Sequence, residues 1–142
     1  MPQLFSYHLF ISHAWKYGGE YNRLTNMLDN ALYFNYCNYS APHEKPLKNL
    51  DSTDVTTKNE IKFAIIRKIE RASCVLVISG MYYNYREWMQ YEIDVAKYLK
   101  KPVIAIVPWG NHAIPREVMN AADEIVGWNT SSIVSAIRKH CR

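Results

Sequence analysis

The sequence predicts an α/β fold, an open parallel sheet of about five strands with helices on both faces, forming a three-layer sandwich. Three observations predict it. Strand-like and helix-like segments alternate from one end of the chain to the other. Residues 74–79 (CVLVIS) and 103–107 (VIAIV) are almost wholly apolar, as strands covered on both faces are. The segments between them place their apolar residues on one helical stripe.

In chain order, residues 7–12 (YHLFIS) form a short β-rich run that stops at polar residues. Residues 21–34 carry Leu24, Met27, Leu28, Ala31 and Leu32 at helical spacing. Residues 35–57 are polar and punctuated by Pro42 and Pro46, with room for one short strand around Tyr39. An irregular stretch of this length inside a compact domain is usually functional or disordered. Residues 58–71 set Ile61, Ile65, Ile66 and Ile69 on one helical face, with Lys62, Arg67 and Lys68 facing out. After the strand at 74–79, an amphipathic helix runs from about 88 to 100. Lys101-Pro102 then opens the strand at 103–107, and Pro108-Trp109-Gly110 breaks it. A short helix is expected at 115–122 and a strand at 124–128. Asn129 or Thr130 caps a final helix through Lys139, offering a side-chain oxygen to unpaired amide protons.

The 142 residues bound the chain to one domain, 1–142, with no internal repeat, low-complexity tract or linker. Apolar residues at 49% and charged residues at 21% describe a soluble globular domain. The net charge of +4 is scattered over residues 67–71, 97–101 and 138–142, not gathered into the stripe that nucleic-acid binders use. Apolar runs reach about five residues, far short of the ~20 a membrane helix needs. The first residues show neither a basic segment nor a cleavage site, so no secretory signal and no membrane partner are expected. Cys37, Cys74 and Cys141 lack C-x-x-C spacing, which argues against a disulfide framework and a zinc knuckle. Cys74, inside an apolar run, reads as a core residue, and a cytoplasmic location is expected.

The binding crevice of such a sheet lies beyond the carboxyl ends of its strands. Here those ends are Ser12-His13-Ala14-Trp15, the Pro-rich loop before Thr57, Ser79-Gly80 and Pro108-Trp109-Gly110. The phosphate-cradling glycine motifs G-x-G-x-x-G and G-x-x-x-x-G-K-[ST] are absent, and so is the nucleophile elbow G-x-S-x-G. Ser12, His13, Ser79 and Gly80 offer no carboxylate for a hard cation, and no metal ligand set is expected.

One residue interrupts a packing stripe. Trp88, Glu92, Val95, Ala96 and Leu99 share a single helical face, which sets a carboxylate among apolar residues. Carboxylates are rarely fully buried unless paired. Glu92 is therefore either a residue at the edge of the stripe, paired with Lys or Arg, or a carboxylate at the mouth of an aromatic-walled crevice. Tyr82, Tyr83, Tyr85 and Trp88 supply flat faces for a base in the second reading. His13 either bonds backbone groups or meets a ligand, and Trp15 either anchors its loop or does the same. Glu87 reads as a solvated residue near the helix start.

Six strings carry a resemblance. They are Phe10-Ile11-Ser12-His13-Ala14-Trp15 with Tyr21 and Leu24, Asn38-Tyr39-Ser40, Trp88-x-x-x-Glu92-Ile93 with Ala96, Lys101-Pro102-Val103-Ile104, Pro108-Trp109-Gly110, and residues 122–130 (ADEIVGWNT). In this order the chain resembles the TIR-like domains, most closely the TIR-like sensor subunit of Thoeris anti-phage systems. The resemblance implies a flavodoxin-like/TIR fold and an enzyme that takes NAD+ as substrate and holds no permanent cofactor. Such enzymes break the nicotinamide–ribose bond, and Glu92 matches their essential acid. Candidate substrate-binding residues are Ser12, His13, Trp15, Ser79, Tyr82, Tyr85, Trp88 and Asp51. The implied product is an ADP-ribose-derived signal, a cyclic ADP-ribose isomer or an ADP-ribose conjugate, made after a phage-derived trigger. That messenger activates a separate effector protein, and the enzyme is a possible homo-oligomer. Arg86 stands where many relatives carry a small Ser, and the loop at 40–57 lacks the glycine-proline signature of animal TIR adaptors.

The chemistry suits one carboxylate. Nicotinamide is already a cationic leaving group, and its departure leaves positive charge on the ribose, as in glycoside cleavage. A fixed anion stabilises that charge. Two other readings stay open. A non-catalytic TIR-type interaction module would self-associate without NAD+ turnover. A flavodoxin-like nucleotide-binding module would bind NAD+ or a flavin stoichiometrically, and Glu92→Gln would leave that binding largely intact.

Overall fold

The apolar run at residues 74–78 becomes the middle of a sheet. The computed structural model describes residues 5–12, 19–39, 55–79, 86–107 and 114–141. The elements are β1 (Ser6–Ser12), α1 (Gly19–Asp29), β2 (Asn35–Asn38), α2 (Val55–Arg71), β3 (Cys74–Ile78), α3 (Arg86–Tyr98), β4 (Val103–Ile106), α4 (Arg116–Ala121), β5 (Glu124–Val126) and α5 (Thr130–His140). The five strands form one parallel sheet in the order β2-β1-β3-β4-β5. The expected α/β sandwich is the observed one.

Strand alternation sorts the core into two layers. Phe10, Val75, Val77, Val103 and Ala105 face one way and pack with residues of α2, α3 and α4. Leu9, Ile11, Leu76, Ile78, Ile104 and Ile106 face the other way and pack with α1 and α5. Every residue of β3 and β4 is buried, which explains why both strands are apolar without alternation.

Several boundaries differ from the periodicity. Helix α1 ends at Asp29, not near residue 34, because the chain must turn back to enter β2. Tyr33 takes a left-handed φ of 57° in that turn, and Leu32 is 81% exposed instead of extending the apolar stripe. The short strand expected around Tyr39 is Asn35–Asn38, aligned from Ser6↔Asn35 to Leu9↔Asn38. As an edge strand it has no need of an apolar run, so its sequence, NYCN, gives little hydrophobic signal. Lys68 does not simply face out: it is half-buried, and its Nζ donates to the Tyr39 carbonyl at 3.2 Å. Burial, and then the Arg71 charge, lower its pKa. Asn129 is the cap of α5, its side chain accepting from the Ser132 amide at 3.1 Å. Among the described residues, no helix is long and apolar enough to cross a membrane.

Candidate active site

The strand order decides where a crevice opens. The connection from β1 leads outward to β2, while β3 leads the other way to β4 and β5. The carboxyl ends of β1 and β3 therefore flank the topological switch point, the usual ligand position in doubly wound sheets. Ser12 is the last residue of β1 and lies in register with Val77 of β3. Alternation from Phe10 directs it to the layer that holds α3.

Helix α3 brings Glu92 to the same place. Its neighbours Met89, Ile93 and Ala96 are core residues, and Glu92 itself is 0% exposed. The Ser12 hydroxyl donates to Glu92 Oε1 at 2.7 Å, and both side chains are buried. This corrects the reading of Glu92 as an edge residue of its stripe: the carboxylate is inside, and a strand hydroxyl meets it. A buried carboxylate is tolerated only where hydrogen bonds replace lost water. The 2.7 Å separation is that of a well-formed O–H···O hydrogen bond.

Trp88, one turn before Glu92, is 8% exposed and meets Tyr91 edge-on with ring centroids 6.4 Å apart. Lys62 Nζ lies 5.4 Å from the Tyr91 ring centroid, and burial raises the Tyr91 phenol pKa. Ser79, just past β3, is buried and donates its hydroxyl to the Ile106 carbonyl at 2.9 Å, tying the ends of β3 and β4 together. Ser12, Trp88 and Glu92 are thus gathered by β1 and α3, while the Ser79 hydroxyl turns to β4. Glu87 is exposed at the start of α3, as its position suggested. His13, Trp15, Asp51, Tyr82 and Tyr85, together with the Arg86 side chain, lie outside the described residues. Among the described residues there is no group of three or more His, Cys, Asp or Glu able to hold a metal ion.

Sequence reasoning missed two supports that tie β2 and the residue after it to α1 and β1, on the side of the sheet where β3 begins. Asn38 Nδ2 donates to the Tyr21 hydroxyl at 2.8 Å, joining the end of β2 to α1. His8 Nδ1 and the Tyr39 hydroxyl are 2.7 Å apart, with the two rings stacked at 5.5 Å. Neither pair leaves a periodic signal, since the partners are 17 and 31 residues apart.

A family model described as the TIR-like domain of Thoeris protein ThsB matches residues 10–113. That is most of the chain. The chain belongs to the ThsB TIR-like family. The matched stretch of this ThsB-type domain contains Ser12, Ser79, Trp88 and Glu92, so both residues of the buried pair lie within it. The described elements beyond the match, α4, β5 and α5, complete the ThsB-type sheet and its helical layers. No curated protein sequence matches the chain.

Proposed function

We propose that this ThsB-type TIR-like domain is an NAD+-consuming enzyme of anti-phage defence. It cleaves the nicotinamide–ribose bond and makes an ADP-ribose-derived signal, a cyclic isomer or a conjugate, that activates a separate effector. The observation that carries the reading is the fully buried Glu92 carboxylate of W-x-x-x-E, set beside the carboxyl end of β1 at the switch point. A buried anion is costly to maintain, and such groups concentrate where chemistry needs them.

In this mechanism the C1′–N bond breaks, its electron pair leaves with nicotinamide, and the ring departs neutral. Positive charge grows on the ribose, and Glu92 stabilises it through space in a water-poor site. Trp88 contributes a flat wall, and His13, Trp15, Asp51, Tyr82 and Tyr85 are the remaining candidates for holding NAD+. A water, a group on the same molecule or a second molecule then captures C1′, which sets the product. The reading includes a phage-derived trigger, a cytoplasmic site of action, one domain over the chain and assembly with further copies.

The test is NAD+ consumption in cells carrying this protein and its effector, before and after phage challenge, with small-molecule extracts analysed by mass spectrometry. Glu92→Gln is expected to lower turnover about 10²–10³-fold, the scale for losing a principal electrostatic group. A new ADP-ribose-derived species should vanish with it. Unchanged NAD+ under challenge, with the variant protecting as well as wild type, would leave the interaction-module reading in its place.

A further inference from the structure

We infer that Ser12 is a positioning residue: its hydroxyl holds the Glu92 carboxylate in one orientation at the head of the β1–β3 crevice and does not itself bind substrate. The inference rests on the proposed role of Glu92. It replaces the expectation that Ser12 contacts NAD+ directly.

A glutamate on a helix has a loose end. The terminal torsion of its carboxyl group is broad and roughly two-fold, so packing along the stem does not fix where the oxygens point. The burial of Met89, Ile93 and Ala96 in the core sets the depth of α3 around Glu92, and apolar packing has no directional preference. The Ser12 bond to Oε1 gives that oxygen a fixed direction. Ser12 is itself the best-anchored kind of donor, a short side chain on a strand whose backbone is paired on the β3 side as far as Ser12↔Val77. Two rigid elements thus meet at one atom pair 2.7 Å apart.

The choice of a hydroxyl has a chemical consequence. A serine has one O–H proton, and here that proton is committed to Glu92. With that proton given to Glu92, the hydroxyl has none left to donate to a ligand in the crevice. The donor fixes the carboxylate without adding a positive charge of its own. A lysine or arginine in the place of Ser12 would offset the negative field that a ribosyl cation needs. Ser79 shows the contrast: its hydroxyl goes to a backbone carbonyl and ties two strand ends, with no ionisable group involved.

The experiment measures nicotinamide release from added NAD+ in lysates of phage-challenged cells expressing wild type, Ser12→Ala, Ser12→Thr or Glu92→Gln. Ser12→Ala should lower kcat about 10- to 100-fold, the range for losing a hydrogen bond to a charged group, with KM changed less than about twofold. Ser12→Thr keeps the hydroxyl and suits a strand, so it should restore most of kcat. A raised KM with kcat preserved would assign Ser12 to substrate binding and overturn the inference. So would losses in both variants that merely follow the folded fraction seen by circular dichroism.

A second readout needs no turnover. In protein labelled with [¹³C]carboxyl-glutamate, the Glu92 resonance is identified by its absence in Glu92→Gln. Ser12→Ala should move that resonance and Ser12→Thr should leave it close to wild type; an unmoved resonance overturns the inference. A shifted resonance with no nicotinamide released by wild type supports the serine–carboxylate unit and overturns the NAD+ reading instead.

Discussion

Cys74 and Cys141 show how burial governs chemistry one residue at a time. Both are fully buried thiols, whereas Cys37 is exposed on the edge strand β2. A hydrogen bond with Cys141, reinforced by burial, raises the Cys74 pKa, and the thiol rather than the thiolate is the stable form. Iodoacetamide added to the native protein should therefore modify Cys37 alone, with Cys74 and Cys141 reacting only in denaturant. Rapid native labelling at either buried position, read by peptide mass spectrometry, would contradict this. Cys74 was legible as a core residue because its neighbours in sequence are apolar, but Cys141 sits among polar residues and gave no such sign. Glu92 was legible in the same partial way. Helical spacing placed it on an apolar stripe, yet spacing does not report how deep the stripe lies. That depth separates a solvated edge carboxylate from the buried partner of Ser12.

The ends of elements follow local rules more closely than their middles do. Helix α3 closes with the Lys100 amide bonded to the Lys97 carbonyl and the Lys101 amide to the Ala96 carbonyl. This is a Schellman pattern, and it places Lys100 in the left-handed region at φ 58°. Pro102 follows two residues later, where it ends any continuation. Glycine takes that conformation without the side-chain clash, so Lys100→Gly should stabilise the fold by up to about 1 kcal/mol. Urea unfolding measures it, and a lowered midpoint would show that the lysine side chain contributes more than its backbone strain costs. The cap at Asn129 was legible because a side-chain acceptor directly precedes an apolar repeat. The end of α1 was not: Ala31 and Leu32 continue the helical spacing while the chain already turns toward β2. An apolar period marks residues able to pack on one face, and only the neighbouring strand decides where the helix must stop.

At the scale of the whole molecule, the sheet converts sequence position into energy. Leu76 in central β3 is fully buried, and Leu32 in the turn after α1 is 81% exposed. Leu76→Ala should cost about 2–5 kcal/mol, a cavity in a two-sided core, while Leu32→Ala should stay within about 0.5 kcal/mol. Chemical denaturation of the two variants checks the contrast, and equal losses would refute the layered core. The amino-acid sequence by itself determined the fold class and the strand–helix alternation. It also determined the buried character of β3 and β4 and the face on which Glu92 lies, because each follows from local periodicity and apolar runs. The six strings, in their order along the chain, likewise sufficed to name the family. The tertiary structure alone decided the order β2-β1-β3-β4-β5 and the switch point beside Ser12. It also joined two side chains 80 residues apart. The reason is physical: periodicity records which faces avoid water, whereas a hydrogen bond between distant residues depends on how strands pair and helices pack.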